Sequence, residues 1–264
     1  MRTIARRTVG LLTLSASVLS TAAIAGAAPD TACTAALGGR WDDQAGTCFA
    51  TVASPAQASM TIAVQLPGSL MTNPTAGKVI SGYLRHLVDG WRKTGAAMVR
   101  DSDYRVDNQQ FTHNGLTSVV FHEFWQTFGS TPNDAYRTFT FDLANGRQLK
   151  LADLVKPGVD PLTALPPLVR PYLTTALDQA APPHDPGTYP FTVDKFEPQP
   201  DGSGYAADYR AFALTADELI LYLPDAPMDH ERPFPRDRFV WSMDGGAVIV
   251  RVPLAALAPI MRAL

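Results

Sequence analysis

Between Thr117 and Leu154 the chain reads TSVVFHEFWQTF, a polar link GSTPND, then AYRTFTFDL, the pair Asn145-Gly146, and RQLKLADL. Val119, Val120, Phe121, Phe124, Trp125 and Phe128 leave no purely polar face, the pattern of a strand buried on both sides. The next run has period two, with Phe139 and Phe141 on one face and Thr138 and Thr140 on the other. Asn145-Gly146 supplies two residues that tolerate positive φ, after which Leu149 and Leu151 resume the alternation. A three-stranded antiparallel core follows from this stretch alone.

The N-terminus reads differently. Arg2, Arg6 and Arg7 precede a small, apolar run from Val9 to Ile24, and Ala25-Gly26-Ala27 offers an A-x-A cleavage site. Residues 1–27 are therefore expected to be a secretory signal peptide, since the apolar run is too short and too broken by Thr and Ser for a membrane span. Asp30-Thr31-Ala32 before Cys33 argues against a lipoprotein site. The full chain has 22 Lys+Arg and 25 Asp+Glu. Without the three leader arginines the balance is 19 against 25, a net charge of −6. That acidity argues against nucleic acid and anionic membrane surfaces as partners. In an exported chain the two cysteines, Cys33 and Cys48, read as a disulfide around LGGRWDDQAGT, worth roughly 3 kcal/mol in the chain-entropy model.

Along the mature chain, Ser59–Leu66 alternates as a half-buried strand. Asn73-Pro74 caps one amphipathic helix of roughly six turns, ending near Met98. Asp103–Phe111 reads as an extended segment leading to the turn Asn114-Gly115. Beyond Leu154, Asp160-Pro161 opens a helical stripe that Pro166, Pro167 and Pro171 interrupt, so a first turn, a break and a second helix to about Asp178 are expected. A long loop follows, with a short strand at Phe191–Phe196. Hairpins are expected for Tyr209–Leu214 with Glu218–Leu223, and for Phe239–Met243 with Ala247–Val252; Pro253–Met261 closes with a short helix. The order is not βαβα. The fold class is α+β with a mostly antiparallel sheet: an N-terminal loop, strand and helix portion over 28–115 and a second portion over 116–264, forming one compact unit.

The Cys33…Cys48 start, the strand MTIAVQLP, the helix after Pro74, TFTFDLANGRQLKLADLV, YRAFALTADELILYL and VIVRVPLAALAPIM together resemble the secreted mycobacterial antigens of the MPT-sixty-four type, and more broadly the RsiV-type extracytoplasmic domain. The resemblance covers nearly all of the mature chain. It implies a β-grasp-like half wrapping the helix at Leu168–Leu177. It also implies a secreted, immunogenic protein. Domains of the RsiV type lie outside the membrane on anti-sigma factors and bind lysozyme, and one mycobacterial relative is described as an esterase. The family often carries Gly-Gly-x-His-Pro after the core strand, where this chain has Gly129-Ser130-Thr131-Pro132 and no histidine.

For chemistry, no G-x-S-x-G occurs. The nearest approach to a hydrolase constellation is Ser130 beside Asp134, with His122 close in sequence; a loop serine and a strand histidine account for the same residues. His122-Glu123 lacks the second histidine of a zinc helix, and Asp101, Asp103 and Asp107 lack the glycine and terminal Glu of a calcium loop, so neither a metal nor a cofactor is expected. Asp225, Asp229, His230, Glu231 and Arg232 form a charged loop suited to partner contact. Phe121, Phe124, Trp125 and Phe128 read as core, or alternatively as an apolar groove. The function expected is a secreted, monomeric, non-catalytic interaction domain for an extracellular or envelope protein or a small apolar ligand. The alternatives are an esterase of short acyl esters and a structural envelope protein.

Overall fold

The computed structural model describes residues 28–130, 132–199, 201–227, 240–242 and 247–262. The signal peptide expected over 1–27, and Asp229, His230, Glu231 and Arg232 of the charged loop, lie outside the described residues.

The chain begins with α1 (Pro29–Ala32) and a π-turn over Cys33–Leu37, then the short hairpin β1 (Arg40–Asp42) and β2 (Thr47–Ala53). Cys33 and Cys48 are bonded, with their Cα atoms 5.5 Å apart. The bond pins the opening turn to β2. Gly39 makes this possible, because a Cβ there would lie 2.6 Å from the Phe49 carbonyl oxygen and 2.7 Å from Cys48 Sγ. β3 (Ser59–Gln65), α2 (Gly68–Thr72) and α3 (Pro74–Gly95) follow. Asn73 Oδ1 accepts from the Thr75 and Ala76 amides at 2.9 and 3.0 Å, capping α3 as its sequence predicts.

β4 (Ser102–His113), β5 (Leu116–Thr127), β6 (Asn133–Asp142) and β7 (Arg147–Leu149) come next. Asn114 and Gly115 both take positive φ, 45° and 83°, giving the tight two-residue hairpin between β4 and β5. At Asn145-Gly146 only the glycine does so, at 62°. There the turn is longer, and Asp142 accepts from the Asn145 amide and side chain. Then come α4 (Pro161–Ala164) and α5 (Pro166–Asp178), β8 (Phe212–Leu214), β9 (Glu218–Pro224), β10 (Val240–Ser242), β11 (Ala247–Pro253) and α6 (Leu254–Leu257). Pro171 sits inside α5. The strand expected at Phe191–Phe196 is instead a 3-10 turn over Val193–Phe196.

Two sheets result. The larger runs β1-β2-β3-β4-β5-β6, and the far edge of β6 is shared by β7 and β10. Among the described residues only β3 and β4 pair in parallel, because α2 and α3 carry the chain across between them. The smaller sheet is β11-β9-β8. The hairpin expected for 239–243 with 247–252 does not form: β10 pairs with β6 of the large sheet, whereas β11 pairs with β9 of the small one. Local alternation marks both segments as strands but says nothing about which strand each will pair with.

The layers stack as α3, large sheet, small sheet, α5. Ile80, Tyr83, Leu84, Leu87 and Trp91 of α3 pack on Met60, Ile62, Val64, Val119, Phe121 and Phe141. On the opposite face of the large sheet, Val120 meets Ala213, Ile220 and Tyr222 of the small sheet. The far face of the small sheet, with Leu219, Leu221, Val248 and Val250, covers Leu165, Val169, Leu173 and Leu177 of the α5 region. The helix expected inside the β-grasp-like half is therefore α5. β5 is buried on both faces as far as Phe121, but Phe128, just past its end, is 80% exposed and is no core residue.

Three hydroxyls join the sheets. Ser118 Oγ and Thr140 Oγ1 lie 2.9 Å apart, the Leu214 amide donates to Ser118 Oγ at 3.0 Å, and the Phe212 amide donates to Thr138 Oγ1 at 3.0 Å. The edge amides of β8 thus find acceptors on the face of another sheet.

Two outcomes are expected in urea unfolding. Ser118→Ala strips a buried amide of its acceptor and should cost about 1–3 kcal/mol, whereas the same change at exposed Ser69 should cost less than about 0.5 kcal/mol. Replacing Cys33 and Cys48 by serine should cost about 3 kcal/mol, and adding reductant to the unaltered protein should reproduce the loss.

Candidate functional site

The outer face of the large sheet, opposite α3, carries the polar chemistry. The registers place its side chains in cross-strand rows. One row is Arg40, Phe49, Ala63, Arg105, Phe124 and Asp134; the row on one side is Thr51, Thr61, Asp103 and Gln126; on the other side Asp107, His122 and Tyr136 align. The small sheet covers the β5–β6 side of this face. The β1–β4 side is open, with Phe49, Thr61, Asp103, Arg105 and Asp107 exposed.

His122 sits at the boundary between the covered and open parts. Its Nε2 lies 2.6 Å from Asp134 Oδ1 and its Nδ1 lies 3.5 Å from Asp107 Oδ2. The ring stacks on Tyr136 at 4.8 Å, and Tyr136 stacks on Tyr222 of the small sheet at 4.9 Å. The Asp134 side chain is only 10% exposed and that of Asp107 is 62% exposed. Burial pulls the imidazole toward its neutral form, but hydrogen bonds and charge from Asp107 and Asp134 outweigh it and raise the pKa from 6.5 to about 9. At neutral pH this is an imidazolium with a carboxylate at each ring nitrogen. It has no lone pair with which to accept a proton from a nucleophile.

The constellation of Ser130, His122 and Asp134 thus assembles only in part. The histidine and Asp134 meet. Ser130 lies in the turn beyond the end of β5, the strand that carries His122. Its hydroxyl donates to the Thr127 carbonyl at 2.8 Å. Asp107, read from the sequence only as a solvated acid, proves to be the second partner of His122. The signal was available in the Asn114-Gly115 turn: a two-residue hairpin fixes the β4–β5 register and sets position 107 opposite 122.

On the other face of β5 the sequence reading missed a buried acid. Glu123 is 4% exposed and accepts hydrogen bonds from the Tyr83 hydroxyl of α3, at 3.1 Å, and from the Tyr104 hydroxyl of β4. Burial, then the Glu123 charge, pushes the Tyr83 hydroxyl well above its ordinary pKa. This network orients α3 on the sheet. Strand parity shows it in retrospect, since Glu123 falls between Phe121 and Trp125 on the buried side.

Clefts open at the surface. One, of about 590 Å³, lies beyond the open face and is lined by Ser59, Thr61, Asp101, Asp103, Gln126 and Phe128 among others. Another, of about 400 Å³, lies beside α5 between Leu177, Tyr189, Phe191 and Val193. Arg170 at its rim forks onto the buried Glu197 through Nε at 2.9 Å and Nη2 at 2.6 Å. Asp225 follows β9; its carbonyl accepts from the Tyr189 hydroxyl at 2.7 Å and its side chain accepts from the Ala226 amide. Among the described residues, no group of three or more His, Cys, Asp or Glu could hold a metal ion, and no helix is long and apolar enough to cross a membrane.

No protein-family model matches the sequence, and none of the curated proteins does. Two crystal structures of DUF3298 family proteins are similar to this chain. One is from Pseudomonas aeruginosa, at 12% identity over 82% of this chain and 93% of that one, with a TM-score of 0.46. The other is from Bacteroides fragilis, at 15% identity over 82% and 92%, with a TM-score of 0.43. The likeness concerns fold and says nothing about activity.

Because the folded pKa of His122 lies above its ordinary value, the stability it contributes is complete below about pH 6.5 and is lost as pH rises through about 9. The unaltered protein should lose on the order of 1 kcal/mol across that window, after allowance for solvent screening. His122→Gln should be less stable at pH 6, and the two unfolding curves should converge near pH 10. Parallel curves would contradict the assignment.

Proposed function

We propose that this protein is an exported interaction domain that engages another protein over the open β1–β4 side of its large sheet. The observation that carries this reading is the row Arg40, Phe49, Arg105, Phe124. Arg40 lies over the Phe49 ring at 5.9 Å and Arg105 over the Phe124 ring at 5.7 Å, a preformed line of cations and aromatic rings on an exposed sheet face. Arginine and aromatic side chains are enriched where proteins bind one another, and here the sheet holds them in register before any partner arrives. The disulfide and the absence of a membrane-crossing helix among the described residues are compatible with an extracellular location, and the leader-like N-terminus supports export. The antigen-type resemblance points the same way, toward a secreted scaffold.

Immobilised protein should retain a partner from envelope or culture-filtrate extracts of the producing organism. The double variant Phe49→Ala, Arg105→Glu should fail to retain it while keeping its melting temperature. Identical capture by both proteins would remove the open face from consideration. Labelling of a serine by a fluorophosphonate, with turnover of short acyl esters that is lost on Ser130→Ala, would establish the esterase reading instead.

A further inference from the structure

We infer that the cleft at the Phe128 end of the open face receives an arginine or lysine side chain from a polypeptide partner. This rests on the open face being an interaction surface and specifies what part of the partner it takes. The hydrogen-bond inventory of the cleft is one-sided. The Ser59 amide and hydroxyl donate to Asp101 Oδ1 at 2.8 and 3.2 Å, and the Thr61 hydroxyl donates to Asp103 Oδ1. Gln126 Nε2 donates to the Ser130 carbonyl at 2.9 Å. The cleft's own donors are therefore largely spent inside it. What is left over is acceptor: the second oxygens of Asp101 and Asp103 and the Gln126 carbonyl take up no hydrogen bond among the described residues. A sugar hydroxyl both donates and accepts and needs both kinds of group from its site, whereas a guanidinium or an ammonium only donates.

The aromatic ring supplies the second half of the inference. On this face Phe49 and Phe124 each lie under an arginine of the same chain. Phe128 lies one step beyond the row of Asp103 and Gln126, where its amide donates to the Asp101 carbonyl at 2.9 Å. Among the described residues no arginine lies over its ring, and it is 80% exposed. A partner's basic side chain would complete at Phe128 the pairing that Phe49 and Phe124 make internally. Its aliphatic stem would cover the ring while its charge met Asp101 and Asp103. The cleft, at about 590 Å³, has room for such a side chain and the backbone that carries it.

The test uses a fluorescein-labelled GGRRGG peptide, its GGKKGG counterpart and neutral GGSSGG, with anisotropy read at about 0.15 M salt. The basic peptides should bind and the neutral one should not. Phe128→Ala, Phe128→Leu and Asp103→Asn should each weaken binding roughly tenfold. Asp89→Asn, on the exposed side of α3, should leave it unchanged. The inference is overturned if none of the peptides binds, if the cleft variants bind as tightly as the unaltered protein, or if Asp89→Asn weakens binding equally, which would mean bulk charge. Binding of chitotriose that depends on Phe128 would overturn it in favour of a glycan. If the peptides fail while Phe49→Ala, Arg105→Glu still loses the captured protein, the cleft inference falls and the reading of the face stands. If neither responds, both fall.

Discussion

β5 is gripped from both sides, and the four-layer stack exists because of it. Val119 and Phe121 face α3, while Ser118 and Val120 face the small sheet. A strand apolar on one face only would have supported a two-layer domain and left the small sheet without a seat. Apolar contact alone would not place that sheet, since it is tolerant of sliding. The hydroxyls of Ser118, Thr138 and Thr140 supply the directionality: the edge amides of β8 reach acceptors at one register and would be orphaned at another.

The small sheet is narrower than the sheet it covers, and this mismatch leaves part of the large sheet's outer face open. Three strands cannot hide a face formed by β1 to β6. The covered part holds Val120 and the Tyr136–Tyr222 stack. The rest must meet water, and it does so with charge interleaved with aromatic rings. Each arginine over a phenylalanine shields apolar area that an open sheet face would otherwise expose. The same pairing leaves Arg40 and Arg105 aligned across the strands.

His122 marks the line between these regions, and its environment shows how geometry selects chemistry. A histidine between two carboxylates is held as a cation, so it serves as an electrostatic clasp between β4, β5 and β6. The Tyr136–Tyr222 stack extends that clasp to the small sheet. A hydrolase would need one of those nitrogens free and a serine within reach. Here both nitrogens face carboxylates, and the Ser130 hydroxyl is turned to the Thr127 carbonyl.

Much of this was legible in the chain. Alternation at Phe139 and Phe141, the double-sided run around Phe121, the Asn73-Pro74 cap, the proline-broken helix and the Cys33–Cys48 bridge are all local, and each is decided by φ preference, periodicity or short-loop closure. Those forces act within a few residues, so they leave a mark in the sequence there. The destination of β10 and β11, the exposure of Phe128, the pairing of His122 with Asp107 and the burial of Glu123 under Tyr83 depend on which distant strands become neighbours. Periodicity states that a segment has a face; only the competition among long-range pairings decides what that face meets.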